Sequence, residues 1–183
     1  MKGGALVVDL LVNFEKALMG GVCTVERRAN DWAFSFKSGE ITTAAPWRVV
    51  TGGRIQLGDT DVHPALEVAN TPTGEARTNA LLQGRHVRAI KVDRATADLC
   101  VLFDADTWLE IFNDSVGQEA WSAKFVVADQ SMSIVGMGGG AVGYFSAESA
   151  PPATAKPARR ASKAKAKVRA TAKSGAQRIS AAC

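Results

Sequence analysis

Histidine and cysteine are scarce in this chain of 183 residues, which has two of the first and three of the second. Asp59-x-Asp61-x-His63 offers ligand-type side chains. With only His63 and His86 in the chain it lacks the nitrogen and thiolate partners of a transition-metal site, so it reads as a polar loop and no cofactor is expected. Cys23, Cys100 and Cys183 are odd in number, far apart and form no C-x-x-C pair. That excludes a disulfide framework and fits a reducing, cytoplasmic compartment. Cys23 and Cys100 fall on strand-like runs and read as small buried hydrophobes, whereas Cys183 reads as an exposed thiol of near-normal reactivity. A His86 and Cys100 nucleophile pair has no local signature, and nowhere do a base, a nucleophile and an orienting group occur together, so no catalytic residue is expected. Long apolar runs are missing too. The most apolar stretch, residues 5–19, carries Asp9, Asn13, Glu15 and Lys16, which excludes both a membrane span and the h-region of a secretory signal.

Acid is missing from one region alone. Residues 151–183 hold nine basic side chains and no carboxylate, whereas residues 1–150 hold the other 13 basic and all 18 acidic residues. The overall charge of +4 therefore divides into a body of −5 and a tail of +9. The tail is Ala, Lys, Arg, Pro, Ser and Thr with few large aliphatics, too poor in apolar surface to offset the entropy of ordering, and is expected to be disordered from about residue 144. This body of 150 residues is the size of one domain, whose globular part is expected to span residues 1–143.

The body reads as α+β. Over residues 5–19, Asp9, Asn13 and Lys16 share one narrow stripe of a helix whose remaining surface is apolar, and Gly20-Gly21 ends it. Short runs rich in Val, Ile, Phe, Thr and Trp follow at residues 22–27, 32–36, 41–43, 47–50 and 54–57, an antiparallel meander with a hairpin turn at residues 37–40. Residues 58–74 are a long connection, residues 75–82 fit a short helix, and strand-like runs resume at 87–92, 99–103, 108–112, 120–127 and 131–135. The order recurs between residues 20–60 and 84–136: Gly20 and Gly84 before a strand, Phe34-x-Phe36 and Val101-x-Phe103 before a turn, Trp47 and Trp121 opening a later strand. It is either a duplication or the rhythm that any meander produces. A duplication implies two meanders packed as sheets or joined into one curved sheet, with the helix over an edge or open face. Gly136 to Gly140 lacks the Lys-Ser/Thr of a phosphate loop and reads as a hinge to the tail.

Two motifs stand out in the body. One is Leu109-Glu110-Ile111-Phe112, a small polar loop at Asn113-Asp114-Ser115, then Glu119-Ala120-Trp121; the other is Pro46-Trp47-Arg48. Together they resemble a group of small uncharacterised bacterial proteins, some of them near toxin-immunity loci, with the similarity covering roughly residues 18–135. Where that group places an aromatic before the glutamate, this chain has Gln118. Read locally, Asn113-Asp114-Ser115 can close an Asx-type turn, Trp47 and Trp121 are core anchors, and Arg48 and Glu119 are either their solvated neighbours or an ion pair. Arg48, Asn113, Asp114, Ser115, Glu119 and Trp121 are the candidate interaction residues. In the tail, Lys156, Arg159, Arg160, Lys163, Lys165, Lys167, Arg169 and Lys173 resemble the Ala/Lys/Pro tails of linker histones and can lie along a phosphate backbone without reading bases.

These features imply a noncatalytic binding module. Its acidic body suits a basic partner protein, as the immunity-like resemblance implies. The alternative is a nucleic-acid-associated protein whose affinity comes from the tail.

Overall fold

Strands that alternate apolar and polar must bury one face each, and here they do so in two antiparallel sheets around a shared core. The computed structural model describes residues 3–62 and 71–146. Helix α1 (Gly3–Leu18) leads into β1 (Thr24–Arg27), β2 (Trp32–Phe36), β3 (Gly39–Thr43), β4 (Trp47–Thr51) and β5 (Arg54–Gly58), then a 3₁₀ turn at Asp59–Val62. Helix α2 (Gly74–Leu82) leads into β6 (Val87–Val92), β7 (Leu99–Phe103), β8 (Thr107–Ile111), β9 (Glu119–Val127), β10 (Gln130–Met137) and β11 (Ala141–Ser146). The α+β expectation therefore holds. His63 and the basic run of residues 151–183, with all its candidate contact residues, lie outside the described residues.

Sheet I has the order β1-β2-β3-β9-β10-β11 and sheet II the order β5-β4-β8-β7-β6. The halves are thus not one sheet each, as a simple pair of meanders would give. Each half puts its first three strands in one sheet and crosses into the other. Mapping β1–β5 onto β6–β10 converts the order β1-β2-β3-β9-β10 into β6-β7-β8-β4-β5, so the topology has an internal twofold equivalence, with β11 as the extra strand. The registers agree with it. Val25↔Phe34↔Ile41↔Ala123↔Ile134 crosses sheet I, and Ile90↔Val101↔Leu109↔Val49↔Leu57 crosses sheet II at the equivalent positions. All ten side chains are buried. Burying a side chain of the larger size among them contributes about 1.5–3 kcal/mol, so these rows hold the two sheets together.

The helices obey the same equivalence. Leu18 and Leu82 end them buried, and Gly20 (φ 72°) and Gly84 (φ 70°) follow in the left-handed conformation that turns the chain into the next strand. Glu15 Oε1 accepts the backbone N–H of Ile90 on edge strand β6 at 3.4 Å, and Asn79 Oδ1 accepts that of Val25 on edge strand β1 at 2.8 Å. Each helix therefore occupies polar groups on the edge strand of the opposite half, which blunts that edge against pairing with another chain. Val22 and His86, equivalent positions, form an isolated bridge to each other.

The glycine run 136–140 is not a hinge. Gly136 pairs within β10, Gly138–Gly140 form a 3₁₀ turn, and the chain returns as β11 to Ser146, three residues past the expected domain end. Gly136 is fixed by packing: a Cβ there would lie 2.3 Å from Trp121 Nε1.

Candidate functional site

Trp121 is a core residue, as expected. Its ring stacks on Phe14 of α1 with centroids 6.4 Å apart, and its Nε1 donates to the Ala97 carbonyl at 2.7 Å. The equivalent Trp47 packs edge-on against Trp32 and Phe34, but its buried Nε1 has no hydrogen-bond partner. Asn113 does not close the expected Asx turn. Its Oδ1 is buried without a partner, while its Nδ2 donates to the carbonyls of Thr96 (2.6 Å) and Met137 (2.7 Å), tying three loops together. The turn is closed by Ser115, whose Oγ accepts the N–H groups of Gly117 and Gln118. Asp114 and Glu119 are exposed at this end of the molecule.

Arg48 pairs with Glu110, not with Glu119. Register decides this: Arg48 lies directly across β4 and β8 from Glu110, whereas Glu119 opens β9 in the other sheet. Glu110 also accepts from Trp108 Nε1 at 3.1 Å, and the Arg48 guanidinium sits 4.8 Å from the centroid of the Phe112 ring. The six candidates are therefore not one site. Trp121 is interior, Asn113 and Ser115 build a loop corner, and only Arg48 belongs to an accessible face with partners of its own.

That face is the outer side of sheet II, and the internal equivalence makes it informative. In sheet I one outward row reads Thr24↔Ser35↔Glu40↔Lys124↔Ser133, polar at every position. The equivalent row of sheet II reads Ala89↔Leu102↔Trp108↔Val50↔Ile55, apolar at every position. The strip crosses all five strands, roughly 19 Å at the usual interstrand spacing. Ile55 is 60% exposed and Ala89, Leu102 and Trp108 are half-buried, whereas Val50 is buried at 4%, so the accessible part of the strip is Ile55 on one side and Ala89, Leu102 and Trp108 on the other. In the adjoining row the Arg48 and Glu110 pair takes the place of a Thr42 and Ser122 hydroxyl pair at 2.8 Å in sheet I. Around the strip the charges are largely paired, Arg88 with Asp104 at 3.7 Å beside Arg48 with Glu110, and a shallow depression of about 370 Å³ lies between Lys91, Asp98, Cys100, Glu110 and Phe112. Trp108, Leu102, Ile55 and Glu110 are functional candidates that strand-by-strand reading misses; aligning the two halves position by position would have exposed them.

The remaining chemistry is quiet. Burial pushes the Cys23 thiol up to about 12, and burial followed by the Glu110 carboxylate pushes Cys100 up to about 11. Cys100 is only partly buried, on the outer face, unlike the expectation of a buried hydrophobe. His86 and Cys100 are not brought together: the His86 ring lies against the Gly20 carbonyl at 3.0 Å, and Cys100 pairs with Lys91 at the far end of β6. Among the described residues no group of three or more His, Cys, Asp or Glu could hold a metal ion, and no helix is long and apolar enough to cross a membrane. No family model, no curated protein and no solved structure matches this chain.

Proposed function

We propose that the body is a noncatalytic protein-interaction module, acting in a cytoplasmic setting, and that the outer face of sheet II is its contact face. The observation that carries this is the contrast between the two equivalent rows, five polar residues in sheet I against five apolar residues in sheet II. An apolar strip running the width of a sheet and bordered by paired charges is the anatomy of a protein contact, apolar at the centre and polar at the rim. The noncatalytic reading is supported by the two thiols held protonated by burial and by a histidine ring engaged with a backbone carbonyl. The acidic surplus of the body suits a basic partner protein, the immunity-like role; it lies outside the strip, whose neighbouring charges are mostly paired with each other.

The test is site-specific photo-crosslinking of the full chain in its host cells, with the reactive side chain at Ile55 or, separately, at the equivalent sheet I position Ser133. Adducts from position 55 and few from 133 are expected. Equal yields from both positions, or a reversal, would sink the reading.

A further inference from the structure

We infer that the molecule covering the outer face of sheet II is a second copy of this chain, packed face to face through Ile55, Trp108, Leu102 and Ala89 of the apolar row. The inference rests on the interaction-module reading and names the partner of the same face. Charge selects the occupant. The body carries −5, yet the charges beside the strip balance: Arg48 pairs with Glu110 and Arg88 with Asp104, while Arg54 next to Ile55 and Lys91 in the depression, neither in an ion pair among the described residues, offset Asp93 and Asp98. A strongly basic or strongly acidic partner gains little attraction from such a face. An identical face, carrying the same balance of both signs, meets no net repulsion there and gains the apolar contact.

The extent of the face sets the strength. Five strands by five residues span roughly 19 by 17 Å, about 300 Å² in projection. A standard interface buries about 800 Å² on each partner, so the loops at the rim must contribute and association is expected in the micromolar range. The polar row of sheet I supplies its own design of control, because the same topology already holds Ser35 where sheet II has Leu102, and Ser133 where it has Ile55.

Sedimentation velocity on the full chain, from about 1 μM to about 300 μM, covers the range in which interfaces below standard size associate. The expected result is a concentration-dependent dimer that Leu102→Ser with Ile55→Ser converts to a monomer at every concentration, with unchanged far-UV circular dichroism. Ile55→Ser alone, at a position 60% exposed, should weaken the dimer at least severalfold without touching the core. Ser35→Leu in sheet I should leave association as it is. A wild-type chain that stays monomeric, or a double variant that dimerises as well as wild type, overturns the inference. The two proposals fail separately: a monomer that still forms Ile55 adducts with another protein overturns self-association and keeps the module, and a monomer without such adducts sinks both.

Discussion

Replacing Gly136 by alanine should loosen the Trp121 anchor, and the cost can be worked out from its surroundings. The new methyl would lie 2.3 Å from Nε1, 2.4 Å from Cε2 and 2.9 Å from Cζ2 of the indole, closer than side chains tolerate. The indole must move, because β10 is held between β9 and β11 and cannot retreat. Moving it breaks the 2.7 Å bond to the Ala97 carbonyl and disturbs the stack on Phe14. Overpacking of this kind costs about 1–3 kcal/mol, and stranding a buried donor and acceptor costs about 1–3 kcal/mol more. The expected loss is therefore about 4 kcal/mol, a large part of the roughly 5–15 kcal/mol that stabilises a domain. For a body of this length the melting temperature should fall by about 10–15 °C. The assay is urea unfolding followed by circular dichroism, on Gly136→Ala, Trp121→Phe and the double variant. Phenylalanine has neither the Nε1 nor the second ring that the methyl strikes, so the double variant should be no less stable than Trp121→Phe alone, a coupling of about 4 kcal/mol. Additive losses would refute the clash as the cause.

Four further outcomes follow from the same geometry. Trp47→Phe should cost about 1–3 kcal/mol less than Trp121→Phe in the same urea assay, because the Trp47 Nε1 has no bond to lose. Asn79→Ala removes the side chain that both accepts from and donates to Val25 on edge strand β1, at 2.8 and 2.7 Å, and should raise hydrogen exchange at the Val25 amide while that of Ile90, held by Glu15, stays as it was. Cys23 keeps its proton in the folded state up to about pH 12, whereas in the unfolded chain it ionises from 9.0; its stabilising contribution is complete below pH 9.0 and declines by about 1.4 kcal/mol per unit above it, a slope that Cys23→Ala should remove from a pH series of urea midpoints. If the tail holds nucleic acid, Lys163→Gln, Lys165→Gln, Lys167→Gln and Arg169→Gln together should lower the salt dependence of duplex binding in gel shifts by about 3 to 4, and salt-insensitive binding unaffected by the four changes would sink that alternative.

The elements were legible because their signals are local. The stripe of Asp9, Asn13 and Lys16 marked α1, period-two alternation marked β2, Gly20 marked the end of α1 and Gly84 the approach to a new strand, all within windows of a few residues. Pairing was not legible, because it joins distant segments: β3 meets β9 through Thr43 and Trp121, and nothing near either residue says so. The same limit explains the misplaced ion pair. Pro-Trp-Arg drew attention to Arg48, but only the register of β4 against β8 brings Glu110 across from it. The glycine run looked like a terminus because a turn and a hinge share composition; the difference lies in Gly136 making room for Trp121 and in the strand that follows. In the contact face each strand carries an ordinary alternation, and an apolar residue at one outward position on one strand needs no explanation. The pattern exists only when five strands are laid side by side.

Salt separates the two kinds of binding that one chain with an acidic body and a basic tail can show. Contacts of the tail with phosphates release counterions and must weaken as salt rises. Contacts through the strip of Leu102, Trp108 and Ile55 respond the other way. Two bodies of −5 repel each other across water, and raising the ionic strength shortens the reach of that repulsion to about 8 Å at physiological salt without weakening the apolar contact. Kosmotropic salts such as sulfate strengthen burial further. Between copies of this chain, an association that grows with added salt therefore belongs to the face of sheet II, whereas duplex binding that dissolves with salt belongs to the tail. The net charge of +4 is only the sum of the two and describes neither the acidic body nor the basic run of residues 151–183.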